Sequence, residues 1–147
     1  MTDEGKRILA EQEGCVLHPY RDSQSWWTIG RGHLIDNRKG GGISLAAADF
    51  IFTEDICNAE KLAAAKLDWF AALDPVRRDA IVNLIFNMGL GDETRGLLSF
   101  KNTIRAIKEK RWHDAAEGFA NSLWSRQVGP VRTERICKAI ATGRWDA

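Results

Sequence analysis

No run of about 20 apolar residues, the length a membrane-spanning helix requires, occurs in this chain. The polar, acidic opening MTDEGKRILAEQEG likewise lacks the basic and then apolar order of a secretory signal. Both absences lead us to expect a protein made in the cytoplasm, with no signal peptide, membrane anchor or stable membrane insertion. Cysteine is scarce: Cys15, Cys57 and Cys137 are odd in number and scattered, with no C-x-x-C spacing. That pattern argues against a disulfide framework or a zinc site and for reduced, mostly buried thiols. No metal and no cofactor are expected, and neither internal repeats nor low-complexity tracts are present.

What remains is an ordinary globular composition, 44% apolar and 28% charged over 147 residues, enough to bury a core in one folded unit. Six Trp and six Phe supply rings for a core or for stacking on sugar faces. The net charge of +1 hides an asymmetry: residues 1–100 carry 11 basic and 15 acidic side chains, residues 101–147 carry 10 and 5. A basic C-terminal third suits an anionic polymer, nucleic acid or cell-wall polysaccharide, and equally suits solvated Lys/Arg-rich helix faces.

Thr2 before Asp3 and Glu4 predicts a helix start, with the helix running to about Gln12 and stopping near Gly14. From Leu17 to Leu34, Pro19, the turn RDSQS, WWTIG and GHL predict a hairpin-like set of short strands. DNRKGGG, residues 36–42, reads as a flexible connection, after which Ser44 caps a long helix to about Leu67. Asp74-Pro75 starts a helix whose Ile81, Leu84, Ile85 and Met88 form one apolar face, ending at Gly89, as the buried centre of a larger lobe. Lys101 to Lys110 reads as helical, and an amphipathic stripe continues from Trp112 through Ala115, Phe119 and Leu123 to Trp124. A last helix spans about Val131 to Gly143. The expected class is α+β, with a β-containing part at 13–43, helical parts at 1–12 and 68–147, a connecting helix at 44–67, and a cleft between the parts for a substrate.

Chemistry concentrates in residues 13 to 33, EGCVLHPYRDSQSWWTIGRGH. Glu13 stands at a helix end, Asp22 in a turn nine residues on, and Thr28 six residues after that. Hydrolysis of a glycosidic bond needs such a set: a protonated acid for the leaving oxygen, a carboxylate opposite it for water, and a hydroxyl to orient that water. Spacing alone leaves caps and solvated charges as an alternative.

The same segment resembles the signature of the phage-type lysozymes, glycoside hydrolase family 24, through Glu13-Gly14, Leu17, Tyr20, Asp22, Thr28-Ile29-Gly30 and Gly32-His33. LDPVRRDAIVNLIFNMG, FKNTI, KRWHDAA and TGRWDA carry the likeness to the end of the chain. The resemblance implies a mainly helical lysozyme-like fold in a single domain over 1–147, and an endolysin that hydrolyses the β-1,4 bond between N-acetylmuramic acid and N-acetylglucosamine by inversion. It implies that Glu13 is the general acid, Asp22 the group that guides water and Thr28 its partner. Arg132 would lie beside the catalytic glutamate, Leu34, Phe86, Asn87 and Thr103 would line the cleft, and His33 would pair with Asp55. For Leu34 and Phe86 a core role is the alternative; for Asn87 and Thr103 it is helix surface; for His33 and Asp55, solvated charges. It further implies a monomer that meets peptidoglycan glycan strands, held in the host cytoplasm until a separate membrane-permeabilising protein releases it to the periplasm or wall.

Three departures from the family pattern matter, the first being that DNRKGGG is much shorter than the segment of the T-even enzymes, which implies a more open cleft on that side. Ser25 stands where a turn glycine is usual, predicting a strained or rearranged turn if that position has positive φ. Gly118 stands where a polar cleft residue is expected. Competing readings are a peptidoglycan-binding protein without activity, a lytic transglycosylase needing only the acid, a nucleic-acid binder lacking any recognisable module, and a cysteine peptidase built on Cys15 and His18. The Glu13, Asp22 and Thr28 set favours hydrolysis over the first two, and the peptidase lacks a separate His and Asn/Asp framework. Trp26 and Trp27 alternate across a strand, so at most one should stack on sugar, leaving the other to the core. His113 reads as a solvated surface residue.

Overall fold

The computed structural model describes residues 1–145 and divides the chain into two compact units, Met1–Ile51 and Phe52–Ala147. Asp146 and Ala147, the last residues of the TGRWDA segment, lie outside the described residues. The fold is α+β as expected: seven α-helices among the described residues, with one small antiparallel sheet near the N-terminus.

The first unit opens on helix α1 (Asp3–Glu13), where the Thr2 hydroxyl accepts from the Gly5 amide at 3.1 Å and caps the otherwise unpaired first turn. Strands β1 (Val16–Arg21), β2 (Trp27–Gly30) and β3 (His33–Leu34) follow in the order β1-β2-β3. Val16 pairs with Gly30, Tyr20 with Thr28 and Arg21 with Trp27 across the first ladder, with an irregularity between Val16 and Tyr20; Thr28 pairs with Leu34 across the second. Among the described residues of this unit the fully buried side chains are Thr28 and Asp36, both polar.

Residues 36–42, expected to be a flexible connection, instead form a hydrogen-bonded knot. Asp36 caps a 3-10 turn (Asn37–Lys39) by accepting from Arg38 N, and the amides of Gly41 and Gly42 return to the Asp36 and Leu34 carbonyls at 3.0 and 3.1 Å. The glycine-rich composition suggested flexibility, but backbone and side-chain partners satisfy the segment locally.

Helix α2 (Leu45–Lys66) starts with the Ser44 hydroxyl accepting from Ala47 N, and the unit boundary falls inside it. In the second unit, α3 (Pro75–Met88) has Asp74 as its cap and Pro75 at its first position, where the missing N–H costs nothing. Ala80, Ile81, Val82, Leu84 and Ile85 of α3 are buried, making it the centre of that unit's core as the sequence predicts. Helices α4 (Lys101–Lys108), α5 (Trp112–Ala120), α6 (Leu123–Val128) and α7 (Pro130–Thr142) complete the unit. The stripe expected as one helix from Trp112 to Trp124 is two, because Ser122 leaves helical geometry and caps α6 through Ser125 N at 3.2 Å. Phe119 sits fully buried at this junction, its ring 5.0 Å from Phe100 and 6.2 Å from Trp124.

Cysteine burial is weaker than expected: Cys15 is exposed, while Cys57 and Cys137 are half-buried. Burial still pushes the Cys137 thiol up to about 11, which keeps it protonated near neutrality.

Candidate active site

Glu13 is the last residue of α1, and its side chain is solvent-exposed. Arg31, in the turn between β2 and β3, donates through Nη1 to the Ala10 and Gly14 carbonyls, tying the unpaired carbonyls of the helix end to the sheet. Gly32 lies directly against the carboxylate: a Cβ built there would stand 3.0 Å from Glu13 Oε2, and its φ of +75° already disfavours any side chain. Gly32 of the Gly32-His33 motif element is therefore held to glycine by its backbone and by the carboxylate beside it. Gly32→Ala is expected to lower stability by about 1 kcal/mol through the left-handed backbone. It should lower kcat by a larger factor than that loss explains, by displacing Glu13. Thermal melts beside steady-state kinetics check this, and an unchanged kcat would show that Gly32 does not set the position of Glu13.

Asp22 closes the turn between β1 and β2. Its amide donates to the Trp26 carbonyl at 3.0 Å, its carbonyl accepts from Ser25 N, and its Oδ1 accepts from Gln24 N and Trp26 N, both at 2.9 Å. Ser25 has φ +64°, so the departure from a turn glycine is met by strain, on the order of 1–3 kcal/mol, with the turn kept. Thr28, in the central strand, is 3% exposed, and its hydroxyl donates to the Trp26 carbonyl at 3.3 Å.

Neither Trp26 nor Trp27 is core, which corrects half of the expectation for the pair. Arg38 and Lys39 lie over the Trp26 ring at 4.6 and 4.8 Å, and Arg21 over Trp27 at 4.4 Å, so cations cover the rings in place of apolar packing. Asp36, which sequence reasoning passed over, is 2% exposed and accepts from Trp27 N at 3.1 Å, Arg38 N at 3.0 Å and Arg38 Nε at 2.9 Å. The Arg38 hydrogen bond, with the two backbone amides, outweighs burial and holds the Asp36 carboxyl well below the usual carboxylate range. A local signal existed: Asp followed two residues later by Arg, ahead of glycines, is a side-chain-capped turn.

His33 Nε2 lies 2.6 Å from the Gly42 carbonyl; because a carbonyl only accepts, Nε2 carries the hydrogen and Nδ1 remains for another partner. Leu34 is half-buried in β3, and Asp55 is an exposed residue of α2.

In the second unit, Phe52, Ile56, Val82, Asn83, Phe86 and Arg132 are among the residues lining a groove of about 480 Å³. Phe86 is exposed, its ring edge-on to Phe52 at 5.6 Å, so the core alternative fails for it. Arg132 donates to Asn83 Oδ1 at 2.8 Å, and Asn87 Oδ1 accepts from the Trp124 indole at 2.8 Å. Thr103 is buried, not helix surface: Ala106 and Ile107, three and four residues on, lie buried on the same face. The Gly118 backbone packs so tightly on Thr103 that a Cβ there would stand 2.3 Å from its Oγ1. His113 is exposed, as expected.

The sequence profile described as Phage lysozyme matches residues 10–137, from α1 into α7. The chain belongs to the phage lysozyme family. It is 29% identical over 173 aligned positions to "Probable T4-type lysozyme 1" of Dictyostelium discoideum, covering 100% of this chain and 99% of that protein. It is 27% identical over 169 positions to "Probable T4-type lysozyme 2" of the same organism, covering 97% of this chain and 96% of that protein. A shorter match, 28% over 90 positions, covers 61% of this chain and 60% of an "Endolysin" of Acyrthosiphon pisum secondary endosymbiont phage 1. Membership makes the protein a lysozyme-type hydrolase of peptidoglycan. No helix among the described residues is long and apolar enough to cross a membrane.

Proposed function

We propose that this lysozyme cleaves the β-1,4 bond between N-acetylmuramic acid and N-acetylglucosamine in one displacement, with Glu13 as acid and Asp22 guiding water. The observation that carries the reading is the placement of the two carboxylates at opposite ends of β2. Glu13 lies beside Gly32 just past one end, and Asp22 is bonded to Trp26 just before the other. Four strand residues span on the order of 10 Å. With one carboxylate past one end and the other before the opposite end, the strand keeps them apart, which favours room for a water between acid and base over the approach of roughly 5–5.5 Å that a nucleophilic carboxylate requires.

Glu13 gives its proton to the departing glycosidic oxygen as the bond to the anomeric carbon breaks. Water attacks that carbon from the opposite face, and its proton passes to Asp22. The Thr28 hydroxyl hydrogen is engaged by the Trp26 carbonyl, so its lone pairs are what a water can donate to. A water held that way presents its own lone pair for attack. Leu34, Phe86, Asn87 and Arg132 would offer surface to the glycan. In this reading the two units serve one monomeric lysozyme domain, delivered to the wall by a separate membrane-permeabilising protein.

Rapid NMR of the newly released reducing end tests the mechanism. The α-anomer is expected first. An initial β-anomer, or a glycosyl adduct on Asp22, would assign retention and overturn the role given to Asp22, and an anhydro product would assign a transglycosylase.

A further inference from the structure

The peptide unit joining Ser25 to Trp26 is held from both sides. Its N–H donates to Asp22 Oδ1 at 2.9 Å, while its carbonyl accepts from Arg21 Nη1 at 2.9 Å and Arg38 Nη2 at 3.4 Å. Carbonyl and N–H of one peptide bond share a plane and point oppositely, so whatever fixes the carbonyl aims the N–H. Cationic donors on the oxygen also polarise the amide and strengthen the bond it donates. Arg38 is itself exposed, yet its guanidinium is locked by Nε and Nη2 on the buried Asp36. Asp36 Oδ2, which takes Arg38 Nη2, also holds Trp27 N, the next amide along the chain. Buried carboxylate, guanidinium and peptide plane thus lead to Asp22 without a gap, around a residue whose φ of +64° needs such restraint to persist.

We propose that Asp36 and Arg38 are positioning residues for Asp22, fixing the direction of its carboxylate through the Ser25–Trp26 peptide. The proposal rests on Asp22 guiding water, and its test separates the two claims. The Trp26 ring does not depend on Arg38 alone, since Lys39 also covers it. Arg38→Ala therefore removes the fork while leaving a cation on the ring.

On soluble peptidoglycan fragments, Arg38→Ala is expected to lower kcat by about 10- to 100-fold with KM unchanged, the cost of a slightly misplaced catalytic group. Arg38→Lys, a point charge without the planar fork, should be equally impaired. In an Asp22→Asn background, Arg38→Ala should change kcat by less than about twofold, because its effect passes through Asp22. Asp36→Asn should give the same pattern, and amide exchange at Trp26 should quicken in each variant while Val16 and Gly30 keep theirs. Multiplicative losses in the double variant, a rise in KM alone, or full rescue by lysine would overturn the proposal. If Asp22→Asn proves fully active, the role of Asp22 in catalysis falls, and Trp26 exchange decides the positioning claim: faster exchange upholds the restraint and unchanged exchange refutes it.

Discussion

Glu13→Gln is expected to lower turnover by at least about 10²- to 10⁴-fold, the contribution general acid catalysis makes, while the protein stays folded. The amide preserves shape and hydrogen bonding but has no proton for a leaving oxygen. Folding should survive because Glu13 is exposed and its helix is fixed at that end by Arg31 on the Ala10 and Gly14 carbonyls. A carboxylate at a helix C-terminus also faces the negative end of the helix dipole, so neutralising it should raise stability by a few tenths of a kcal/mol, up to about 1 kcal/mol. Loss of activity with an equal or higher Tm is thus the expected pair of results, read by clearing of peptidoglycan suspensions and by thermal unfolding. A Glu13→Gln variant with wild-type turnover would remove the acid from the scheme. An inactive variant with a collapsed Tm would reassign Glu13 to structure.

Phe119→Ala should produce the largest loss of stability, about 3–5 kcal/mol and a fall in Tm on the order of 10 °C. Phe119 is fully buried where α5 gives way to α6, in ring contact with Phe100 and Trp124. The cavity cannot close by a shift of one neighbour, because Trp124 is also fastened to Asn87 by its indole N–H. Loosening that ring should release Asn87, so the near-ultraviolet circular dichroism of the tryptophans should weaken at temperatures well below the transition. A cost under about 1 kcal/mol would mean that the junction repacks freely and that Phe119 is not the centre of this contact.

The helices were legible where a residue of particular chemistry marks an end. Thr2, Ser44 and the Asp74-Pro75 pair cap as their side chains require, and Gly143 follows the last turn of α7. The division of α5 from α6 was not legible, because the apolar stripe runs on across Ser122 and only the cap breaks the helix. Periodicity reports a face, not continuity. The catalytic candidates posed the opposite difficulty: Glu13, Asp22 and Thr28 are common residues in common places, and only the likeness of the surrounding motif singled them out. Composition misled at residues 36–42, where three glycines outweighed an aspartate that turns out to hold four backbone or guanidinium donors. It misled again at Trp26, where the rule of alternating faces left no room for a ring covered by cations.

The contact between Gly118 and Thr103 constrains how this lysozyme can diverge. A polar residue at 118 is what the family pattern leads one to expect, yet any side chain there would enter the space of Oγ1, with Cβ and Cγ2 of Thr103 only 3.2 and 3.3 Å away. Rotating a β-branched threonine offers no escape, since it exchanges one branch for the other. A lineage that left the polar residue for glycine could therefore fill the vacated volume with threonine and lose the single-step route back. Restoring a side chain at 118 would first need a smaller residue at 103, an intermediate that leaves a void between α4 and α5 and confers nothing on its own. Under such a history the order of change would be fixed, glycine at 118 before threonine at 103.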